Sequence, residues 1–268
     1  KILIKENPDY VVVYGDTNST LSGSLAAAKL NFKIVHVEAG LRNFNMSVPE
    51  EINRVLTDKI SSVKIAPTKV ALDNLLNENL SKHAYLFGDI ITDVIYNSNI
   101  TKRINTPREY YFATIHRPIN TSSITRLKKI FFHLNSLNKK IIIPLHPRTK
   151  NKMNEFGIKK SSYTNMNFIE PLSFYENLKY MSQSNAVITD SGGVQKEAYI
   201  LKKKCVSILS FTPWEETLIG EWNQLVFKNL ESLEIKLNTI PDKNLYMKNY
   251  FGDGNIAKKV INLLLSME

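Results

Sequence analysis

Carboxylates and imidazoles follow the apolar runs in the first half of the chain. Asp16 comes two residues after the first run, and His36 and Glu38 alternate at the end of the second. Glu50 begins a segment with helical periodicity. Because ligands of parallel sheets collect outside the carboxyl ends of the strands, we expect Asp16, Glu38 and Glu50 to converge on one rim of one sheet. Three carboxylates on one rim suit general acid/base catalysis.

Each of these residues also has a structural interpretation. Asp16 or Thr17 would cap the following helix, which contributes about 1 kcal/mol. Glu38 would form a buried pair with His36 or with Arg42, since an isolated buried charge is costly. A carboxylate such as Glu50 is favoured by the helix dipole in the first turn of a helix. The spacing alone leaves these alternatives open.

Two strand ends in the second half each carry an imidazole and a guanidinium. His116 and Arg117 follow the run at residues 110–115, and His146 and Arg148 follow the next strand. A guanidinium presents a planar fork of donors that matches phosphate oxygens. The two pairs therefore indicate phosphate recognition at one edge of a second sheet.

A Gly-Gly turn joins a later strand to a helix. Ser191 stands where it could cap this helix, and Gly192 and Gly193 leave the backbone N–H groups of the first turn unobstructed. Such a helix start is a ready phosphate site, and Glu197 lies close enough along the helix to reach a ribose hydroxyl. The pattern is neither GxGxxG nor a P-loop, and a plain tight turn is the alternative.

The elements that position these residues alternate between strand-sized apolar runs and helical segments. Continuous apolar strands predict parallel sheets that are buried on both faces. A polar segment at residues 96–108 predicts a linker between two doubly wound domains. We therefore predict an N-terminal domain at residues 1–103, a C-terminal domain at residues 104–254, and a closing helix at residues 255–268 that packs back on the first domain.

Composition narrows the class of protein. The 268 residues carry a net charge of +10, but 28 Lys against 7 Arg is a balance that argues against a nucleic-acid surface. No apolar stretch approaches the roughly 20 residues of a membrane helix. A single cysteine, Cys205, excludes an intramolecular disulfide and predicts a reducing, cytoplasmic location. No metal-ligand spacing is present, so no metal is expected.

The chain opens on Lys1 rather than Met, with a short helical pattern that leads directly into a strand. This opening predicts that the N-terminal domain is incomplete. A contribution of a preceding segment to the site is therefore expected.

The motifs together resemble the non-hydrolysing UDP-N-acetylglucosamine 2-epimerases, over nearly the whole chain. The resemblance rests on the segments that begin at Gly15, His36, Pro49, His116 and Asp190. It implies a GT-B arrangement, in which two Rossmann-like domains face each other across a cleft. It also implies a cytoplasmic homodimer that takes a UDP-sugar as substrate, binds no nucleic acid or membrane, and supplies precursors of surface polysaccharides.

The resemblance assigns roles residue by residue. Asp16, Glu38 and Glu50 would be the acid/base carboxylates, and His116 would contact the diphosphate and assist catalysis. The other implied UDP-binding residues come from three strand ends: Arg117, His146, Arg148, Ser191, Gly192, Gly193 and Glu197. His36, Arg42 and Arg54 are further candidates for support of the site. The implied reaction inverts carbon 2 of the sugar by elimination and re-addition of UDP, which requires no metal, nicotinamide or other cofactor.

One departure from the family pattern concerns the segment after His116 and Arg117. The family continues with a residue, Glu and Asn, where this chain has Pro118, Ile119 and Asn120. The difference is compatible with another N-acetylated UDP-sugar as substrate. A hydrolysing 2-epimerase, a GT-B glycosyltransferase and a catalytically inactive UDP-sugar-binding module remain the alternatives.

Overall fold

A computed structural model describes residues 1–98 and 108–267 of the chain. Most of the predicted linker lies outside the described residues. The chain divides into two compact units. The first unit comprises Lys1–Asn97 and Lys248–Glu268, and the second comprises Ser98–Met247. The predicted domain boundaries at residues 103 and 254 stay a prediction.

The first unit is a parallel sheet flanked by helices. Its described strands run in the order β1-β2-β3-β4, and every pair is parallel. The strands are β1 (Tyr10–Tyr14), β2 (Lys33–Val37), β3 (Val63–Ala66) and β4 (Ala84–Leu86). The helices are α1 (Ile2–Glu6), α2 (Asn18–Lys29), α3 (Pro49–Ile60), α4 (Lys69–Asn77), α5 (Ile91–Asn97) and α12 (Ile256–Leu265).

The second unit contains a larger parallel sheet, with described strands in the order β10-β9-β8-β5-β6-β7. The strands are β5 (Tyr110–Thr114), β6 (Lys140–Pro144), β7 (Met166–Ile169), β8 (Ala186–Thr189), β9 (Lys204–Ser207) and β10 (Asn223–Leu225). The helices are α6 (Pro118–Thr121), α7 (Ile124–Asn135), α8 (Pro147–Glu155), α9 (Phe174–Gln183), α10 (Gly192–Ile200) and α11 (Leu233–Asn238).

The apolar runs form the cores as their continuous pattern predicts. In the first unit, Val35 and Ile65 from the sheet pack with Ile256 and Val260 from α12. In the second unit, buried side chains of the sheet and of α7 form one large cluster. Burial on this scale contributes about 25 cal/mol per Å² of apolar surface. The two cores fix the strands, and the strands fix the turns at their carboxyl ends.

Short elements are the part of the fold that the sequence pattern does not predict. The strand β10 has only three residues and pairs with β9. The helices α6 and α11 are likewise too short to show a period. Among the helices of the described residues, none is long and apolar enough to cross a membrane.

Candidate functional site

The ends of β1 and β2 lie side by side in the first unit. Tyr14 pairs with Val37 at the end of the two strands, and the N–H of Gly15 donates to the carbonyl of Val37 at 3.0 Å. Asp16 and Glu38 follow these paired positions directly, and both are partly buried. The two carboxylates therefore leave neighbouring strands at the same edge of the sheet.

Asp16 is held by the helix α3. Arg54 donates to Oδ2 of Asp16 from Nε at 3.0 Å and from Nη2 at 2.6 Å, and Asn53 donates to the backbone carbonyl of Asp16 at 2.8 Å. Arg54 also donates to Glu51 at 3.1 Å. The capping interpretation applies to Thr17, which accepts from the N–H of Thr20 at 3.3 Å. Asp16 is thus oriented by a guanidinium rather than used as a cap.

Glu50 and Glu51 have different roles at the start of α3. The buried Glu51 carboxylate accepts from the backbone N–H groups of Asn43 and Phe44 at 2.8 to 3.1 Å. Within residues 1–98 and 108–267, Glu50 has no hydrogen-bond or ion-pair partner. Glu51 therefore fixes the loop before the helix, and the Glu50 carboxylate is available to a ligand.

Asp58 binds His36 and Arg42, the two residues that the structural interpretation of the sequence pairs with Glu38. The Nδ1 atom of His36 lies 2.6 Å from Asp58, and Arg42 approaches Asp58 at 2.8 Å and binds Glu78 through two hydrogen bonds. Burial alone would raise the pKa of Asp58, but hydrogen bonds and charges of His36 and Arg42 hold it below its ordinary value. His36 and Arg42 therefore belong to a buried network beneath the strand ends.

The second unit has its topological switch point between β5 and β8. From β5 the chain continues through β6 to β7 on one side, and β8 continues through β9 to β10 on the other. Ligands of open α/β sheets bind in the crevice outside the carboxyl ends of the strands at such a point. His116 and Arg117 follow β5, and Ser191 follows β8. His116, Arg117 and Ser191 thus stand at the switch point, whereas His146 and Arg148 follow the neighbouring strand β6.

The buried carboxylate of Asp190 holds the turn after β5. It accepts from the backbone N–H groups of His116 at 2.9 Å and of Arg117 at 2.9 Å, and from the Asn120 side chain at 3.1 Å. Asn120 in turn accepts from Nε of Arg126 at 3.1 Å. Asn120 is therefore a buried link in this network, whereas Ile119 beside it is 55% exposed.

The rings of His116 and His146 stack, with centroids 4.9 Å apart. Burial lowers the pKa of His116 below its ordinary value, and the neighbouring Asp190 opposes this shift. His146 and Arg148 are exposed, and the Nδ1 atom of His146 accepts from the N–H of Arg148 at 3.2 Å. The structure thus brings the two predicted imidazoles together, with His146 exposed and His116 half-buried.

The Gly-Gly turn begins α10 as predicted, with one correction. Ser191 occupies the N-cap position, but its side chain makes no cap hydrogen bond, so the expected capping by Ser191 is wrong. The N–H of Ser191 donates instead to the hydroxyl of Thr189 at 2.9 Å. A Cβ atom at Gly192 or Gly193 would approach no atom closer than 3.6 Å. Neither position requires glycine for the fold, and both keep the helix start open.

A pocket with a volume of about 230 Å³ lies beside this turn. Its residues come from the ends of β5 and β6, from the segment before α9, and from α10: Thr114, Ile115, His116, Pro144, His146, Pro147, Pro171, Leu172, Phe174, Asn177, Val194 and Glu197. A mostly apolar pocket with a few convergent polar groups is typical of a small-molecule site. The pocket residues before α9, Pro171 and Leu172, are uncharged and belong to no glycine turn, so they show no functional signal in the sequence.

Asp58, Asp190 and Asn120 organise the strand ends, although none is among the predicted site residues. Their partners lie tens of residues away along the chain, so spacing gave no signal for them. No group of three or more His, Cys, Asp or Glu side chains that could hold a metal ion occurs in the part of the chain that the structure describes.

The chain has two units with parallel sheets, and each carries polar and charged residues at the carboxyl ends of its strands. This architecture is that of the α/β proteins of the GT-B type. A family model described as UDP-N-acetylglucosamine 2-epimerase matches residues 1–265. A UDP-N-acetylglucosamine 2-epimerase homolog of Methanococcus maripaludis is 41% identical, over 100% of this chain and 78% of the relative. The chain belongs to the UDP-N-acetylglucosamine 2-epimerase family, which confirms the predicted family, fold class and isomerase class.

Two other similar proteins bear on the substrate. The solved structure of the Methanocaldococcus jannaschii enzyme, described as a complex with UDP-GlcNAc and UDP, is 39% identical. It superposes with a TM-score of 0.88 over 99% of this chain and 78% of that chain. A UDP-2,3-diacetamido-2,3-dideoxy-D-glucuronate 2-epimerase of Pseudomonas aeruginosa is 41% identical, over 84% of this chain and 65% of the relative. The name of each of these relatives refers to epimerisation at carbon 2 of a UDP-sugar.

Proposed function

We propose that this protein interconverts UDP-N-acetylglucosamine and UDP-N-acetylmannosamine. The observation that carries the proposal is the division of the strand ends by charge. Asp16 and Glu38 stand at the edge of the first sheet and Glu50 lies in the first turn of α3, whereas cationic side chains and an open helix start stand at the switch point of the second sheet. Proton transfer requires carboxylates such as those of the first unit, and diphosphate binding requires cations and free backbone N–H groups such as those of the second unit.

In the proposed reaction a carboxylate removes the proton from carbon 2 of the sugar. The bond between carbon 1 and the diphosphate oxygen then breaks, so that UDP leaves and a 2-acetamidoglucal remains. Re-addition of UDP to carbon 1 restores that bond, and a carboxylic acid returns a proton to carbon 2 from the opposite face. The route requires an acid/base group on each face of the ring, for which Asp16, Glu38 and Glu50 are the proposed candidates.

The diphosphate is proposed to bind at the start of α10. Ser191, Gly192 and Gly193 offer backbone N–H groups there, and a glycine that the fold does not require is best explained by the close approach of a ligand. His116, Arg117, His146 and Arg148 would stabilise the leaving UDP. Glu197, which lines the pocket, would accept from the ribose hydroxyls.

A second substrate is favoured by the Pseudomonas relative, which is as similar in identity as the Methanococcus one. A UDP-2,3-diacetamido sugar acid would undergo the same inversion at the same carbon. Parallel assays with the two substrates, compared by kcat/KM, decide between them. The hydrolysing epimerase and the glycosyltransferase receive no comparable support.

We propose further that the protein acts as a homodimer in the cytoplasm and supplies precursors of surface polysaccharides. These proposals rest on the family resemblance and on the single cysteine, which is buried. Light scattering after size exclusion tests the first of them, because a homodimer has twice the chain mass of 30.6 kDa.

The test of the reaction is proton NMR of UDP-N-acetylglucosamine incubated with the protein in deuterated water. We expect deuterium at carbon 2 and the signals of UDP-N-acetylmannosamine. Accumulation of free UDP would instead indicate a hydrolysing enzyme. Saturation-transfer contacts to UDP without deuterium exchange would contradict epimerisation and indicate a UDP-sugar-binding module.

A further inference from the structure

His36 lies in the middle of a buried strand with an acceptor at each ring nitrogen. Its Nδ1 atom is 2.6 Å from a carboxylate oxygen of Asp58, and its Nε2 atom is 2.9 Å from the carbonyl oxygen of Gly15. Both side chains of the pair are completely buried. A carbonyl oxygen and an ionised carboxylate can only accept, and a neutral imidazole carries only one N–H donor.

A proton on Asp58 would be the alternative, since the acid could then donate to a neutral His36. The surroundings of Asp58 oppose it. Its other oxygen accepts from the N–H of Gly40 at 3.0 Å and lies 2.8 Å from the Arg42 guanidinium. A carboxylate that receives a backbone N–H and a guanidinium is stabilised in its ionised form. The proton between the two side chains therefore belongs to His36.

The same pair joins the two turns that carry candidate acid/base residues. Through Nε2, His36 holds the carbonyl of Gly15, the residue directly before Asp16. Through its second oxygen, Asp58 holds the N–H of Gly40, two residues after Glu38. One buried ion pair thus spans the ends of β1 and β2.

The turn after β2 needs such support because its backbone is strained. Glu38 has a φ of +75° and Gly40 a φ of +84°. A left-handed conformation at a residue other than glycine costs about 1–3 kcal/mol and persists only where the surroundings impose it. The N–H groups of Glu38 and Ala39 both donate to Ile65, at 3.1 and 3.0 Å. Asp58 adds a charged acceptor to this turn, because its carboxylate accepts from the N–H of Gly40.

We propose that His36 carries hydrogen on both ring nitrogens, and that the Asp58–His36 ion pair is a positioning device that fixes the Asp16 and Glu38 turns relative to each other. The catalytic meaning of this device rests on the proposed function, whereas the protonation of His36 does not. The charged groups around the ring are Asp58 from α3, Lys64 from the paired position on β3, Arg42 after β2, and Asp16 with Arg54 beyond Gly15.

Nitrogen-15 NMR of the histidine-labelled protein tests the protonation directly. We expect both ring nitrogens of His36 to be bonded to hydrogen at neutral pH. The signal is assigned by its absence in His36→Gln or, if that variant does not fold, by elimination, because His83, His116, His133 and His146 all lie partly or fully exposed. A neutral ring with one bare nitrogen would overturn the proposal.

Kinetics of His36→Gln test the positioning role. We expect kcat to fall about 100-fold, because a misplacement of about 1 Å has that effect. KM and the Kd for UDP should change less than about threefold, since UDP is proposed to bind the other unit. With kcat expressed per folded, UDP-binding molecule, a merely structural residue would lower the stability and the amount of folded enzyme but leave kcat unchanged.

The matched control is Asp93→Asn in the same unit. Asp93 is a buried carboxylate that accepts from the N–H groups of Ile256 at 2.9 Å and Ala257 at 2.8 Å, away from both turns. The Asp93→Asn variant should be less stable than the unmodified protein, and its kcat should stay within about twofold of the unmodified value. Equal losses of kcat in both variants would refute the positioning role. If the unmodified protein fails to exchange the proton at carbon 2, the proposed function fails, and the NMR result still decides the protonation of His36.

Discussion

Asp58 in the first unit and Asp190 in the second are both fully buried beneath the ends of parallel strands. Asp58 receives a backbone N–H and two side-chain cations, His36 and Arg42. Asp190 receives two backbone N–H groups and the amide of Asn120. One carboxylate is compensated mainly by charges and the other mainly by dipoles.

This difference matches the chemistry proposed for each edge. The first unit presents carboxylates, and cations beneath them offset the concentration of negative charge. The second unit presents cations, and the Asp190 carboxylate, which is compensated mainly by dipoles, keeps negative charge beneath the imidazole of His116 and the guanidinium of Arg117. The cations bound to Asp58 thus limit the negative charge beneath the carboxylates, whereas Asp190 keeps negative charge beneath the cations.

The largest effect is expected for Asp58→Asn. Removal of one partner from a buried ion pair leaves uncompensated charges and costs about 3–5 kcal/mol of the free energy of unfolding. Urea unfolding followed by far-UV circular dichroism measures it. Glu78→Gln is the control, because Glu78 also binds Arg42 but its side chain is 27% exposed. A loss in Asp58→Asn no larger than in Glu78→Gln would contradict the charge-based role of Asp58.

Gly40→Ala tests whether the backbone and packing of the turn after β2 require a glycine. A Cβ atom at Gly40 would lie 2.1 Å from the carbonyl oxygen of Ala71, in addition to the positive φ, so we expect a loss on the order of 3 kcal/mol. Gly15 also has a positive φ, but a Cβ atom there meets nothing within 4 Å. Gly15→Ala should therefore cost about 1–2 kcal/mol. Equal losses in the two variants would contradict the close packing of the Gly40 turn.

Asp190→Asn should be milder than Asp58→Asn. Its donors are mostly amides, and loss of one acceptor leaves a buried N–H without a partner, which costs about 1–3 kcal/mol. Both tryptophans, Trp214 and Trp222, lie in the second unit, so their fluorescence during urea unfolding reports on it. The variant should also raise the Kd for UDP, because the turn with His116 and Arg117 loses its anchor. An unchanged Kd would contradict that anchoring.

Gly193→Ala separates ligand binding from folding. Alanine favours a helix over glycine by about 1 kcal/mol, and the added Cβ would meet Glu197 at an ordinary distance of 3.6 Å. Stability should stay unchanged or rise slightly, while the Kd for UDP rises at least about tenfold because the methyl group blocks the helix start. Isothermal titration gives the Kd. Retention of full UDP affinity would show that the phosphates bind elsewhere.

The smallest expected effect is the contribution of His116 to the pH dependence of the free energy of unfolding. Burial lowers the pKa of His116, so the unfolded chain binds this proton more readily than the folded protein. Stability should therefore fall as the pH drops from the ordinary histidine pKa of about 6.5 toward the lowered value. His116→Gln should flatten this part of the curve of urea midpoint against pH. An identical curve in the variant would contradict the assignment.

The sequence predicted the layers and the strand ends well, because continuous apolar runs have few alternatives to a buried parallel strand. The positions of Asp16, Glu38, His116 and Ser191 at carboxyl ends follow directly from that alternation. The roles of these residues stay predictions, which the experiments above test. The predicted capping by Ser191 is wrong, because its side chain makes no hydrogen bond to the first turn of α10.

The partners of the site residues could not be predicted. His36 meets Asp58 across 22 residues, and Asp190 meets His116 across 74. Such pairs depend on the order of strands in the sheet, which places β8 beside β5. The departure from the family pattern at residues 118–120 shows the same limit, since only the fold reveals that Asn120 is buried beneath the site and Ile119 is exposed.

The central claim is that the first unit performs the proton transfer and the second unit binds UDP. Glu38→Gln tests it most directly, by deuterium incorporation at carbon 2 and by the Kd for UDP, both measured on the same sample. We predict that exchange falls at least about 100-fold, within the range of general acid/base catalysis, while the Kd stays within about twofold. Exchange at the unmodified rate, or a parallel loss of UDP affinity, would contradict the claim.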